Sequence, residues 1–349
     1  YGRRMTTALT SDDIDAARRL RHALHRRPDL SGHEGATSAT MAQALAELSP
    51  DRIETGLGGH GILAVFDGTA PGPLVMLRAE LDALPIAEDS GVPHASEVPG
   101  QAHLCGHDGH MAALYAAGRA LARHRPARGS VALLFQPAEE TGQGARAMVA
   151  DARMAGLGPA AVLALHNLPG LPLGQGALRA GPVACASAGM CIRLEGRAAH
   201  ASQPETGRSP RAALARLLVA LDGLNAGLPL SDPGFAMATV THCAMGEPAF
   251  GIAPGAAEIR ATLRSLQDTA MADLRDRAET AAQAAAADHG LGLTVSWHDV
   301  FDATVNHPDA VAWLAGAADD AGLPHGPAGQ PWRPSEDFGQ FAKLGPCAM

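Results

Sequence analysis

The stretch Val131-Ala-Leu-Leu-Phe-Gln-Pro-Ala-Glu-Glu140 runs five apolar residues without a polar break, then turns abruptly to a proline and two carboxylates. A run that apolar predicts a strand buried on both faces, as in a parallel sheet covered by helices. Its neighbours fit the same pattern. Residues 61–66, 74–78 and 161–165 are short apolar runs bounded by Gly/Pro clusters, and residues 109–124 and 144–155 have helical spacing. Ahead of them, Ser11-Asp-Asp offers an N-cap to a helix marked by Ile14, Ala17, Leu20 and Leu24, which ends at His25-Arg-Arg-Pro-Asp29. Residues 37–48 give a second helix, with Met41, Leu45 and Leu48 on one face. The expected fold class is therefore α/β, a mostly parallel sheet flanked by helices.

In such sheets ligands gather beyond the carboxyl ends of the strands. Asp82 follows the strand at 74–78, Glu139 and Glu140 follow 131–135, and His166 follows 161–165. The stretch His103-Leu-Cys-Gly-His-Asp-Gly-His-Met111 leads into a helix and can reach the same rim. Cys105 and His107 stand two apart, so on extended or turning backbone their side chains leave on one side. A thiolate and an imidazole converging there suit a borderline-soft divalent ion such as zinc. On extended backbone, the adjacent Glu139 and Glu140 point to opposite sides. One can then ligate metal while the other faces a water, the division that metal-assisted hydrolysis requires.

Around Gly181-Pro182 the texture changes. Strands at 185–194, 236–243, 257–263 and 293–297 and helices at 210–224 and 271–288 follow the order βαββαβ of a ferredoxin-like unit. Residues 308–321 return to a plain helix. The expected organisation is a catalytic domain made of residues 5–182 and 299–349, interrupted by an insertion over 183–298.

The chain has 349 residues, room for two domains. With 46% hydrophobic and 18% charged residues it can build a core, and wholesale disorder is excluded. A net charge of −9 argues against nucleic acid and anionic membranes as partners. No apolar run approaches the ~20 residues of a membrane span. The five scattered cysteines contain no Cys-x-x-Cys pair, unlike a disulfide framework. Tyr1-Gly-Arg-Arg-Met5 lacks the apolar core of a signal peptide and reads as an added leader before a native Met5. The expectation is a soluble, cytoplasmic protein.

As a set, seven stretches resemble the metal-dependent amidohydrolases of the M20 peptidase clan, in the aminoacylase, hippurate hydrolase and auxin-conjugate hydrolase branch. They are His25-Arg-Arg-Pro-Asp-Leu-Ser31, Leu77-Arg-Ala-Glu-Leu-Asp-Ala-Leu-Pro-Ile86, Cys105-Gly-His-Asp-Gly-His110, Phe135-Gln-Pro-Ala-Glu-Glu140, Leu165-His-Asn167, Gly196-Arg-Ala-Ala-His-Ala201 and Ser335-Glu-Asp-Phe338. They stand in the family's order over nearly the whole chain.

The resemblance implies a zinc-exopeptidase-like catalytic domain with the insertion as a lid and dimerisation domain. It implies two divalent ions, zinc or manganese first and nickel or cobalt also accepted, held by Cys105, His107, Glu140 and His166. It makes Glu139 the general base and later acid, and Asp82 and Asp108 supporting carboxylates that orient imidazoles. His200, in the lid, polarises the scissile carbonyl, in this family usually in the site of the partner subunit. Arg264, at the end of the strand at 257–263, and Asn167 are candidates for substrate contact. The substrate is a small N-acyl amino acid, deacylated to free amino acid and carboxylate, and the assembly a homodimer or higher homo-oligomer through the lid.

Two rival readings stand beside this one. The first is a metallo-dipeptidase or carboxypeptidase on the same scaffold. A free substrate amine would need an acidic partner there, and the sequence singles none out. The second is a non-catalytic binding protein, against which Glu139 argues. Two departures from the family pattern stand out. Family members run on past the Ser-Glu-Asp-Phe segment and supply a last histidine ligand, whereas no histidine here follows His325. Either that segment lies outside this sequence or the second metal is weakly held. Glu80 replaces a common Asp, a change expected to be tolerated.

Overall fold

The computed structural model describes residues 9–349, so the expected leader Tyr1–Met5 lies outside the described residues. The chain divides into two units. One comprises the chain up to Val183 together with Thr304–Gln330 and Glu336–Met349; the other comprises Ala184–Ala303 with Pro331–Ser335.

The first unit is built on a six-stranded sheet. Its strands are β1 (Arg52–Leu57), β2 (Gly61–Asp67), β3 (Leu74–Glu80), β4 (Ser130–Gln136), β5 (Ala161–Ala164) and a last short strand, Cys347–Ala348. They lie in the order β1-β2-β4-β3-β5, with Cys347–Ala348 beyond β5. β3 runs parallel to both β4 and β5, and Cys347–Ala348 runs parallel to β5; only the β1–β2 and β2–β4 pairs are antiparallel. Central β4 is buried from Ala132 to Gln136, as its unbroken apolar run predicts. Phe135 and Phe66 on neighbouring strands are wholly buried, each stabilising the fold by about 1.5–3 kcal/mol.

Helices α1 (Ser11–Arg26), α2 (Gly35–Ala46) and α3 (His107–Arg123) pack Leu24, Met41, Leu45 and Met111 against those rings. The helix Pro308–Ala321 lays Ala310 and Leu314 on Ala161 and Leu163. α1 departs from expectation at its start. Thr10, not Ser11, is the N-cap, closing a capping box with Asp13. Asp13 turns inward and takes the place expected for Ile14, which is 49% exposed. The helix expected over 144–155 is α4 (Gly144–Ala150); Asp151 leaves the helical backbone, and its carboxylate accepts the Gly58 N–H at 3.3 Å.

The second unit has four antiparallel strands, Ala186–Glu195, Ala236–Met245, Ala256–Ser265 and Gly292–Phe301. In the sheet the first lies between the third and the fourth. Helices Arg211–Asp222 and Asp268–Asp288 bring Leu217 and Leu274 onto Ile192, Ile259 and Leu263. The last strand continues past His298 through a register shift, and the first segment of this unit runs to Ala303. Among the described residues, no helix is long and apolar enough to cross a membrane.

Candidate active site

On the rim of the first unit, side chains from four loops meet around His107. α3 begins there because Gly106 adopts the left-handed backbone, φ +112°, which places His107 as the first helical residue. A side chain at Gly106 would lie 2.3 Å from Asn167 Oδ1, so only glycine fits. The Nδ1–H of buried His107 donates to the Asp82 carbonyl at 2.8 Å, with Asp82 Oδ1 3.5 Å away. That bond sets the tautomer and turns Nε2 toward Glu139 Oε2 at 3.9 Å and Glu140 Oε1 at 3.7 Å.

On the other side, Cys105 Sγ lies 3.4 Å from His166 Nε2, and the His166 Nδ1–H donates to the Asn167 carbonyl at 2.7 Å. The donor atoms of Cys105, His107 and His166 lie within 4.8 Å of one another, and so do those of His107, Glu139 and Glu140. His107 belongs to both groups.

Whether these residues suit a cation is decided by what they leave unpaired. Among the described residues, His107 Nε2, Glu140 Oε1 and Asp82 Oδ1 are buried without a hydrogen-bond partner. Leaving such atoms unpaired costs roughly 1–3 kcal/mol each. A divalent ion would satisfy the first two, and thiolate, imidazole and carboxylate together form a donor set such ions accept. The residues fit.

Glu139 and Glu140 reach His107 by a different route from the one expected. They do not continue an extended strand but sit in a turn, with Ala138 at φ +48° and the Gly142 N–H donating to the Glu139 carbonyl at 2.8 Å. The turn makes adjacent carboxylates converge, where a strand would have sent them to opposite faces.

Burial is the largest influence on the carboxyl and thiol groups of this cluster. It pushes the Glu139 carboxyl well above the usual carboxylate range, helped by Glu336 and Asp337, and it raises Glu140 and the Cys105 thiol. Burial opposes charge on His107 as well, yet its neighbours, Asp82 first and then Cys105 and Glu80, hold its imidazolium well above the ordinary histidine value. A bound dication reverses this logic, favouring thiolate and carboxylate.

The expected supporting residues divide. Asp82 lies beneath His107, its Oδ2 accepting from the Ser31 hydroxyl at 2.7 Å and the Glu140 N–H at 3.0 Å. Asp108 is directed elsewhere: one residue along the helix turns its side chain by about 100°, and its Oδ2 meets His25 Nδ1 and Arg21 Nε, each at 2.9 Å. Asn167 is held by His110, whose Nε2 lies 2.6 Å from Asn167 Oδ1 while its Nδ1 lies 2.6 Å from Glu80 Oε2.

Residue typing passed over the buried guanidinium of Arg78, which bonds Glu80, Gln136, Glu336 and Asp337. It also passed over His110 and Glu34, although all three lie in or next to the family-like stretches.

In the second unit, His200 is exposed on the short strand Ala199–His200, paired with Ile252–Ala253, with Nδ1 2.7 Å from Ser202 Oγ. Arg264 Nη1 donates to the Arg333 carbonyl at 3.0 Å and Ser335 Oγ at 2.9 Å, so that nitrogen is engaged within its own unit.

A model of peptidase family M20/M25/M40 matches residues 76–349. N-acetyl-L-cysteine deacetylase of Bacillus subtilis is 33% identical over 287 residues, covering 80% of this chain. The chain spans 66%, about two thirds, of that relative's length. Hippurate hydrolase of Campylobacter jejuni is 29% identical over 336 residues, 95% of this chain and 86% of that protein. Among solved structures, a dinuclear metal binding peptidase of the M20 family from Bacillus subtilis matches with a TM-score of 0.78 at 26% identity. The match covers 97% of this chain and 88% of that one.

Proposed function

We propose, from the premise that this chain belongs to peptidase family M20/M25/M40, that it is a metal-dependent amidohydrolase releasing amino acids from their N-acyl derivatives. One observation carries the reading. The unpartnered Nε2 of His107 faces both Glu139 and Glu140, beside a thiol and a second imidazole. A deacetylase of N-acetyl-L-cysteine and a hippurate hydrolase among the relatives support N-acyl amino acids as the substrate class.

Cys105, His107, Glu140 and His166 would hold two divalent ions, zinc or manganese foremost. Bound there, such ions lower the pKa of water and polarise a carbonyl oxygen. Glu139, buried and within the same cluster, takes the proton of the attacking water as its oxygen bonds to the amide carbon. It then returns that proton to the nitrogen as the C–N bond breaks, leaving free amine and carboxylate. Asp82 holds the His107 ring, and Ser31 and the Glu140 N–H hold Asp82. His200 would donate to the developing oxyanion in the site of a second copy in a homodimer. The free cysteines support a reducing compartment such as the cytoplasm.

The test is release of free amino acid from a panel of N-acyl amino acids, using chelator-stripped protein before and after adding Mn²⁺ or Zn²⁺. Turnover restored by metal, and faster on N-acetyl amino acids than on dipeptides of the same residue, is the expected result. Dipeptide cleavage alone, or silence across the panel, would overturn the reading.

A further inference from the structure

We propose that Glu34 is a positioning residue for hydrolysis, its carboxylate holding the turn that presents Glu139 and Glu140. The inference rests on the reading of those two side chains as base and ligand. Glu34 is wholly buried just ahead of α2. Its Oε1 accepts the Gly32 N–H at 2.8 Å and, from across the sheet rim, the Ala138 N–H at 2.7 Å.

Ala138 directly precedes Glu139 and stands at φ +48°, a conformation that an L-residue keeps only when its surroundings impose it. The constraint comes from both ends. The Ala138 carbonyl accepts the Gly144 N–H at 3.0 Å, and a side chain at Gly144 would sit 1.5 Å from the Pro137 carbonyl oxygen, so the turn is closed tightly there. Its amide goes to Glu34.

Beyond the pair, the Glu140 N–H goes to Asp82 Oδ2, which Ser31 also holds. Residues 31–34 thus grip the turn on both sides of the two carboxylates, directly at Ala138 and through Asp82 at Glu140. Without Glu34, no other group among the described residues is bonded to the Ala138 N–H. Relaxation of Ala138 toward an ordinary φ would swing Glu139 and Glu140 away from His107.

The experiment compares the parent, E34A, E34Q, A138G and E34A/A138G, with E139Q alongside. The readouts are Zn²⁺ affinity by competition with a chromogenic chelator, kcat and KM on an N-acetyl amino acid, and thermal midpoint. E34A should lose about 10–100-fold in both Zn²⁺ affinity and kcat, with KM nearly unchanged. E34Q should keep most of both, because the amide oxygen accepts the same N–H. Glycine takes the left-handed backbone without a steric cost, so A138G should restore a substantial part of what E34A loses.

Parent-like Zn²⁺ affinity and kcat in E34A would overturn the proposal. So would E34A/A138G no better than E34A, which would make Glu34 only a support for α2. If E34A does not fold, E34D, which withdraws the carboxylate by one methylene, is read in the same way. Parent-level turnover in E139Q removes the reading on which the proposal rests. A dead E139Q beside a parent-like E34A removes this proposal alone.

Discussion

Arg78 on β3 and Glu336, 258 positions apart in the chain, meet at 2.9 Å inside the first unit. The same guanidinium bonds Gln136 at 2.8 Å, Asp337 at 3.1 Å and Glu80. One buried cation thereby ties the ends of β3 and β4 to the turn whose Asp337 N–H reaches toward Glu139 Oε1 at 3.4 Å.

Replacing Arg78 with methionine leaves three buried carboxylates without their counter-charge. Breaking a buried pair in this way costs about 3–5 kcal/mol, so R78M should lower the thermal midpoint by roughly 10 °C. R78K should also fall well short of the parent, since an ammonium cannot bond four partners in the geometry of a planar fork. Calorimetry checks both variants; an unchanged midpoint in R78M would contradict the role given to Arg78.

Gly106 makes a sharper demand. An alanine there carries a methyl 2.3 Å from Asn167 Oδ1, on backbone at φ +112°. G106A should push Asn167 off His110 and disturb the neighbouring His166. Zn²⁺ affinity should drop by about tenfold or more, measured by chelator competition. Parent affinity in G106A would show that the close packing is incidental.

Acid stability has an identifiable source in α1. Asp13 is wholly buried and receives Arg123 Nη2 at 2.5 Å and Arg119 Nε at 2.7 Å. The Arg123 guanidinium, aided by Thr10 and Arg119 and opposed by burial, holds its carboxyl far below the usual range. A depressed folded-state value stabilises the fold above the unfolded pKa of about 3.9. That stability is lost as pH falls through the folded value. Denaturant midpoints of the parent should therefore fall below about pH 4 more steeply than those of D13N. At pH 7 D13N should be less stable by about 1–3 kcal/mol, a range discounted because both arginines are partly exposed. Identical acid slopes would remove Asp13 as the cause.

How much could be read before the structure depended on how far each signal reached along the chain. The run Val131–Phe135, buried on both faces from Ala132 onward, declares itself without help. The rule that ligands gather beyond strand ends singled out Asp82, Glu139, Glu140 and His166, and all four lie around His107. The strand Arg52–Leu57 is mostly exposed, with only Leu57 buried, so its few apolar residues are too sparse to mark a strand. Cys347–Ala348 is too short for any periodicity. The turn at Ala138 stayed hidden because its left-handed backbone depends on Glu34, which lies 104 positions earlier. For Asp108 residue type left the partner open: its neighbour His107 faces the cluster, and the helical rotation between them brings Asp108 to the His25 imidazole instead.

The most direct test of hydrolysis at this site is the turnover of E139Q, measured with its bound metal content and thermal midpoint on the same preparation. Metal content and midpoint should match the parent, while kcat on the best N-acyl amino acid falls by about 10²–10⁴-fold. An E139Q enzyme that holds metal and turns over near the parent rate would contradict Glu139 as the group that moves the proton.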